Sequence, residues 1–198
     1  MTKMEKLIGL FQKKGILSLQ DPVCEGIPNV YFARLCDAGF IERIGHGVYS
    51  CPAYSSSEYI TNAEASVVIP QGVACLFSAL KYHELTLENP HQLHLAVPRG
   101  ARVPKNELPL KIYHFSPESY SFGIETVHTK DGQIQVYSIE KTLADCFKFR
   151  NLIGIDVAVA ALKDAKRTGR INHDKLWDAM SVCRMEKVMY PYLESIVA

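Results

Sequence analysis

Between residues 40 and 51 two short runs of strand formers, Phe40-Ile41-Glu42-Arg43-Ile44 and Val48-Tyr49-Ser50-Cys51, are separated by Gly45-His46-Gly47. Glycines take positive φ without a steric cost, so a three-residue loop of this kind commits the stretch to a tight β-hairpin. What precedes it is helical in period. Leu7, Ile8, Leu10 and Phe11 recur among Lys and Glu and are followed by Gly15, which predicts a helix over about residues 2 to 14. After the apolar stretch Ile16 to Leu19, Asp21 before Pro22 has the N-cap and N1 pattern of a short second helix that Gly26 would end. Asn29 to Ala38 reads as a third helix stopped by Gly39. Three helices and a hairpin are the element order of a winged helix-turn-helix. Pro52 closes this unit, and Ser55-Ser56-Ser57 is the best linker, which divides the chain into 1–54 and 55–198.

In such a unit the third helix reads the major groove and the hairpin is the wing. On a helical wheel Tyr31, Leu35 and Ala38 share a stripe expected to pack on the first two helices, leaving Asn29, Ala33 and Asp37 opposite, with Val30 and Arg34 to one side. Asn pairs bidentately with adenine, Ala meets a thymine methyl, and Arg34 can reach a guanine or a phosphate. Arg43 and His46 are the wing's candidate phosphate or minor-groove contacts. The competing reading is a protein-interaction module, in which Arg34 covers a solvated surface. Basic and acidic residues nearly balance within the unit, and the chain's net charge is only +1, so DNA affinity would rest on a local patch and be weak and salt-sensitive in the monomer.

The remainder is mixed in period. Helices are expected at about 59 to 67 and over Val73 to Leu85, and strands at Leu93 to Val97, Leu110 to Phe115, Ile124 to His128 and Gln133 to Tyr137, the last two turned by Asp131-Gly132. Ser138 can N-cap a helix from Ile139 to Phe149, and three more follow at about 154 to 168, 173 to 182 and 185 to 196. The fold class expected is therefore α+β: a winged helix, then a small sheet with several helices.

Other chemistries find little support. The six cysteines form no C-x-x-C pair, which points to reduced, mostly buried thiols and a cytoplasmic protein; no signal peptide or membrane span is expected. Ser78 and His83, five residues apart on one helix, point about 140° apart and cannot share a proton. Lys141 and Asp145 are an i,i+4 pair of the surface or helix-anchoring kind. His91 and His94 have opposite parity in a strand and do not converge on a metal. Asp164-Ala-Lys166, the one Asp-x-Lys of nuclease type, lies in a predicted helix, and there is no P-loop or dinucleotide glycine pattern. No cofactor, metal or catalytic residue is expected. The basic stretch Lys163, Lys166, Arg167, Arg170 and Lys175 is either a second nucleic-acid or partner-facing surface or one solvated helix face, and Tyr190-Pro191-Tyr192-Leu193 has the look of a helix-packing anchor.

Four stretches resemble AbiEi-type antitoxins in the order of that family: Leu35 to Tyr49, Ser78 to Leu85, Leu95 to Pro104, and Val136 to Arg150. The resemblance implies an antitoxin of a type IV toxin-antitoxin pair acting in phage defence, whose winged helix binds double-stranded operator DNA as an autorepressor. Its C-terminal domain would counter a nucleotidyltransferase-like toxin. It also implies structural or antitoxin roles for Ser78, His83, Arg99, Glu140, Thr142 and Asp145. One departure stands out: members often carry Arg between the wing glycines, where this chain has His46, a weaker phosphate ligand. The protein is expected to be a monomer in solution or to pair on a palindromic operator. A stand-alone regulator without a toxin, and a DNA-processing enzyme targeted by the winged helix, are the alternatives.

Overall fold

The computed structural model describes residues 2–54 and 60–197, an α+β protein with ten α-helices and two sheets among these residues. The serine run read as a linker lies outside the described residues. The chain divides into two compact units. The first comprises Met1–Gln71, Arg102–Leu108 and Val127–Ile134, and the second comprises Gly72–Ala101, Pro109–Thr126 and Gln135–Ala198.

In the first unit, α1 (Lys3–Lys14) starts at a reciprocal cap: the Thr2 hydroxyl accepts from Glu5 N at 3.2 Å while the Glu5 carboxylate accepts from Thr2 N at 2.8 Å. Gly15, at φ 69°, ends the helix in a conformation that Cβ-bearing residues avoid. The apolar stretch that follows is β1 (Ile16–Ser18), a strand. The expected second helix is a single 3-10 turn, Pro22–Cys24. Asp21 does not cap it; its carboxylate turns back to accept from Ser18 N at 3.1 Å, closing the loop instead of opening a helix. α2 (Asn29–Asp37) leads to β2 (Glu42–Gly45) and β3 (Val48–Ser50), and the antiparallel sheet runs β1-β3-β2.

Two expectations about this region are corrected. The buried stripe of α2 is Phe32 and Leu35, while Tyr31 is half-buried and Ala38 exposed. Phe32 sits between Phe11, edge-on with centroids 6.2 Å apart, and Tyr49, tilted at 5.0 Å, so the largest ring of the helix sets which side faces inward. In the hairpin only Gly47 has positive φ, 68°. Gly45 belongs to β2, and a Cβ there would come within 3.0 Å of a Val68 methyl, so its smallness serves close packing on α3 (Ile60–Val68).

The five-stranded sheet runs β6-β5-β4-β8-β7, built from β4 (Val73–Ala74), β5 (Leu93–Pro98), β6 (Leu110–Phe115), β7 (Ile124–Thr129) and β8 (Gly132–Tyr137). The stretch Val73 to Leu85 is not one helix. Val73-Ala74 form the central strand, antiparallel to β5 and parallel to β8, and the helix α4 spans only Leu76–Tyr82. The β7–β8 turn is Lys130-Asp131, with Gly132 already in the strand.

In the second unit α5 (Pro117–Ser121) and α7 (Arg150–Ile153) are short helices without a predicted counterpart, alongside α6 (Ile139–Lys148), α8 (Ile155–Arg167), α9 (His173–Cys183) and α10 (Glu186–Val197). Ser138 caps α6, its hydroxyl accepting from Lys141 N. The core gathers Leu80, Phe115, Tyr137, Leu143, Phe147, Leu162 and Met180. Of the expected Tyr190–Leu193 anchor, Tyr192 packs on Phe147 at 5.2 Å, whereas Tyr190 is largely exposed beside Trp177. Among the described residues no helix is long and apolar enough to cross a membrane.

Candidate nucleic-acid interface

α2 turns Asn29, Val30, Ala33, Arg34 and Asp37 outward, all exposed, with Val30 at 50 %. The Arg34 guanidinium lies 5.8 Å from the Tyr31 ring centre, one turn back, and forms no ion pair among the described residues. The face offers amide, methyl and guanidinium groups from a helix anchored by Phe32 and Leu35, the mixture of groups that base edges and phosphates accept.

Arg43, in β2, and His46, in the turn after it, are exposed on the hairpin, and β2 is irregular. Arg43 pairs with Tyr49 and Gly45 with Val48, which leaves Ile44 as the extra residue of a bulge. Arg43 Nε donates to the Gly45 carbonyl at 3.2 Å, tying the side chain along its own strand. The outer edge of β2 is not free. Gly45 bridges antiparallel to Asn106, and the Ile44 carbonyl accepts from Glu107 N at 3.1 Å. A cleft of about 440 Å³ opens there, lined by Arg43, Gly45, His46, Lys105, Asn106 and Glu107. The contribution of residues 105–107 was not legible in sequence, because no local pattern announces a pairing with a strand so far back in the chain.

The motif residues of the second unit behave in the opposite way. Ser78 accepts from His94 N at 2.7 Å, locking α4 to β5, and His83 Nε2 donates to the Tyr137 carbonyl at 2.7 Å while Arg170 donates to the His83 carbonyl. Ser78 and His83 thus serve different partners. The Glu140 carboxylate accepts from Asn172 N at 2.9 Å at the start of α9, and the Thr142 hydroxyl donates to the Tyr137 carbonyl at 3.3 Å. Arg99 is exposed and is held through its backbone N–H on the Phe115 carbonyl.

Lys141 and Asp145 are not a surface pair; both are fully buried. The Lys141 ammonium bonds the Asp145 carboxylate and lies 4.3 Å from the Tyr137 ring centre and 4.7 Å from that of Phe115. The Cys183 thiol donates to the other carboxylate oxygen at 3.3 Å. Burial pushes the Asp145 carboxyl up, and the Lys141 ammonium beside it pulls it back down. Burial, with Asp145 close by, raises the Cys183 thiol to about 12. No substrate can reach groups sealed this way, so their chemistry is structural.

Two histidines of this unit, His83 and His94, are also internal. His94 is pushed down to about 4 by burial and by the Lys111 charge, and its Nδ1 meets the Tyr113 hydroxyl at 3.3 Å. Burial lowers His83, partly offset by its bond to the Tyr137 carbonyl. His91 precedes β5 instead of lying in it, so the parity argument does not apply to it. Among the described residues no group of three or more His, Cys, Asp or Glu side chains could hold a metal ion. In the basic stretch, Arg167 is paired with Asp164 and Arg170 is spent on His83, so it is no uniform cationic face. No protein-family model matches the chain, and no curated protein is detectably similar to it.

Proposed function

We propose that residues 1–54 form a winged helix-turn-helix that binds operator DNA, and that the protein is an autorepressing antitoxin of the AbiEi type. The observation that carries the DNA reading is α2: its large ring and Leu35 are sealed in the core while Asn29, Val30, Ala33 and Arg34 all face solvent, followed directly by a glycine-turned hairpin bearing exposed Arg43 and His46. A guanidinium and an amide on the outer face of such a helix are groups that reach phosphates and base edges. The 3-10 turn at Pro22–Cys24 fills the place of the second helix, and β1 completes a three-stranded wing sheet.

The antitoxin part rests on the four motif stretches. Their residues in the second unit build an internal polar web, which supports a binding domain that holds a shape without performing chemistry. The partner is a nucleotidyltransferase-like toxin, and the protein works in the cytoplasm without cofactor.

Gel-shift titration with the protein's own promoter tests the DNA reading. Binding should weaken as salt rises, and Arg34→Ala should cost about 1 to 3 kcal/mol of affinity. Affinity unchanged by both refutes the contact assignment. Co-expression with the neighbouring gene, scored by growth rescue, tests the antitoxin role; no toxicity from that gene would leave a stand-alone regulator.

A further inference from the structure

We infer that the segment 102–108 is part of the DNA-contact surface, with Lys105 a backbone-phosphate ligand that works with Arg43 and His46 across the cleft on the wing's outer edge. The inference rests on the DNA-binding reading above.

The segment is built to hold Lys105 in place. Asn106 bridges to Gly45, and Glu107 N reaches the carbonyl of Ile44 that the bulge leaves outside the β2–β3 register. Asn106 then folds its own surroundings: its amide donates to the Pro104 carbonyl at 2.9 Å and its carbonyl oxygen accepts from Leu108 N at 3.1 Å. Lys105 therefore projects from a backbone bonded on the side that faces the wing, and its side chain is exposed. A cation presented from ordered backbone loses less freedom on binding than one on a loose loop.

The charge balance points to an anion. Arg43 and Lys105 line the cleft and neither forms an ion pair among the described residues, while Glu107 is the one carboxylate of its lining. The chain as a whole carries only +1, so this local surplus is what a phosphate would meet at the wing. A wing contact of this kind fixes orientation and carries no sequence information.

The test uses the full chain, its own promoter duplex and a scrambled duplex of equal length, titrated between about 50 and 200 mM salt. Lys105→Gln should weaken both duplexes to a similar extent, about fivefold, and make the log–log salt slope shallower by about 1. Glu107→Gln should tighten both at low salt, because it removes the opposing charge. Both side chains are exposed, so melting temperatures should stay at the wild-type value, which separates a lost contact from a lost fold. If the wild-type chain retains neither duplex, the DNA-binding reading fails and this inference with it. If it binds and Lys105→Gln keeps the wild-type affinity and slope, the inference alone is overturned. Weakening confined to the promoter would make Lys105 a base reader and overturn the phosphate assignment.

Discussion

The polar side chains singled out in the two units are placed oppositely, outward on α2 and the hairpin of the first and inward around α6 of the second. Around α2 and the hairpin, Arg34, Arg43 and Lys105 stand exposed and pair with no carboxylate among the described residues, whereas around α6 Glu140, Lys141, Thr142 and Asp145 are buried and each has a hydrogen-bond partner. The contrast teaches where to look for function. Uncompensated charge at a surface is available to a ligand, and compensated charge in a core defines one packing and makes departures from it costly.

The sharpest way to break the comparison is to remove one partner from the buried pair. Lys141→Met should lower unfolding stability by about 3 to 5 kcal/mol, because it strands a carboxylate among apolar groups, and adding Asp145→Leu should restore most of the loss. Urea denaturation of the single and double variants measures this. Equal stability of the single variant and the wild type would mean that the web is not structural.

Next in size is Phe32→Ala, the inward counterpart of the α2 face, with an expected loss of about 3 kcal/mol or more from the cavity between Phe11 and Tyr49. Far-UV thermal melts should show it, and Ala33→Ser next door, on the exposed side, should leave the melt unchanged.

A pH titration sharpens the contrast further. His94 is held near 4 in the folded protein against an ordinary value of 6.5, so the unfolded chain binds the extra proton between these limits. Stability should be fully present above about pH 6.5 and fall as pH drops toward 4, with a slope from His94 of at most about 1.4 kcal/mol per pH unit. His83 is shifted in the same direction and adds to the loss. His94→Gln should flatten the profile in that window; an unaltered slope would assign the acid sensitivity elsewhere.

The smallest effect belongs to the hairpin turn. Gly47→Ala places a Cβ at φ 68° and 3.3 Å from a Leu19 methyl, for an expected cost of about 1 to 2 kcal/mol. Because the same turn carries His46, DNA retention in the gel shift should weaken along with the melt.

Much of the fold was legible because its signals are local. The hairpin at 40–51, the strand Leu110–Phe115 and the Ser138 cap each declare themselves within a few neighbouring residues. The misses share a different cause. Val73-Ala74 read as helix because two buried residues flanked by apolar neighbours have no period of their own, and only pairing with Ala96, Leu95 and Val136 makes them a strand. The α2 stripe was set by the bulk of Phe32 between two other rings, and the burial of Lys141 by the aromatic faces of Phe115 and Tyr137.

By itself the sequence determined the α+β class, the order of most elements, and the outward placement of Asn29, Val30, Ala33, Arg34, Arg43 and His46, since periodicity and turn chemistry act over a few residues. Only the tertiary structure decided that residues 105–107 line the edge of β2 and that the Lys141–Asp145 pair is buried in the core. Contacts between segments far apart in the chain, and the depth at which a charge is buried, depend on where whole elements dock, which no run of neighbouring residues encodes.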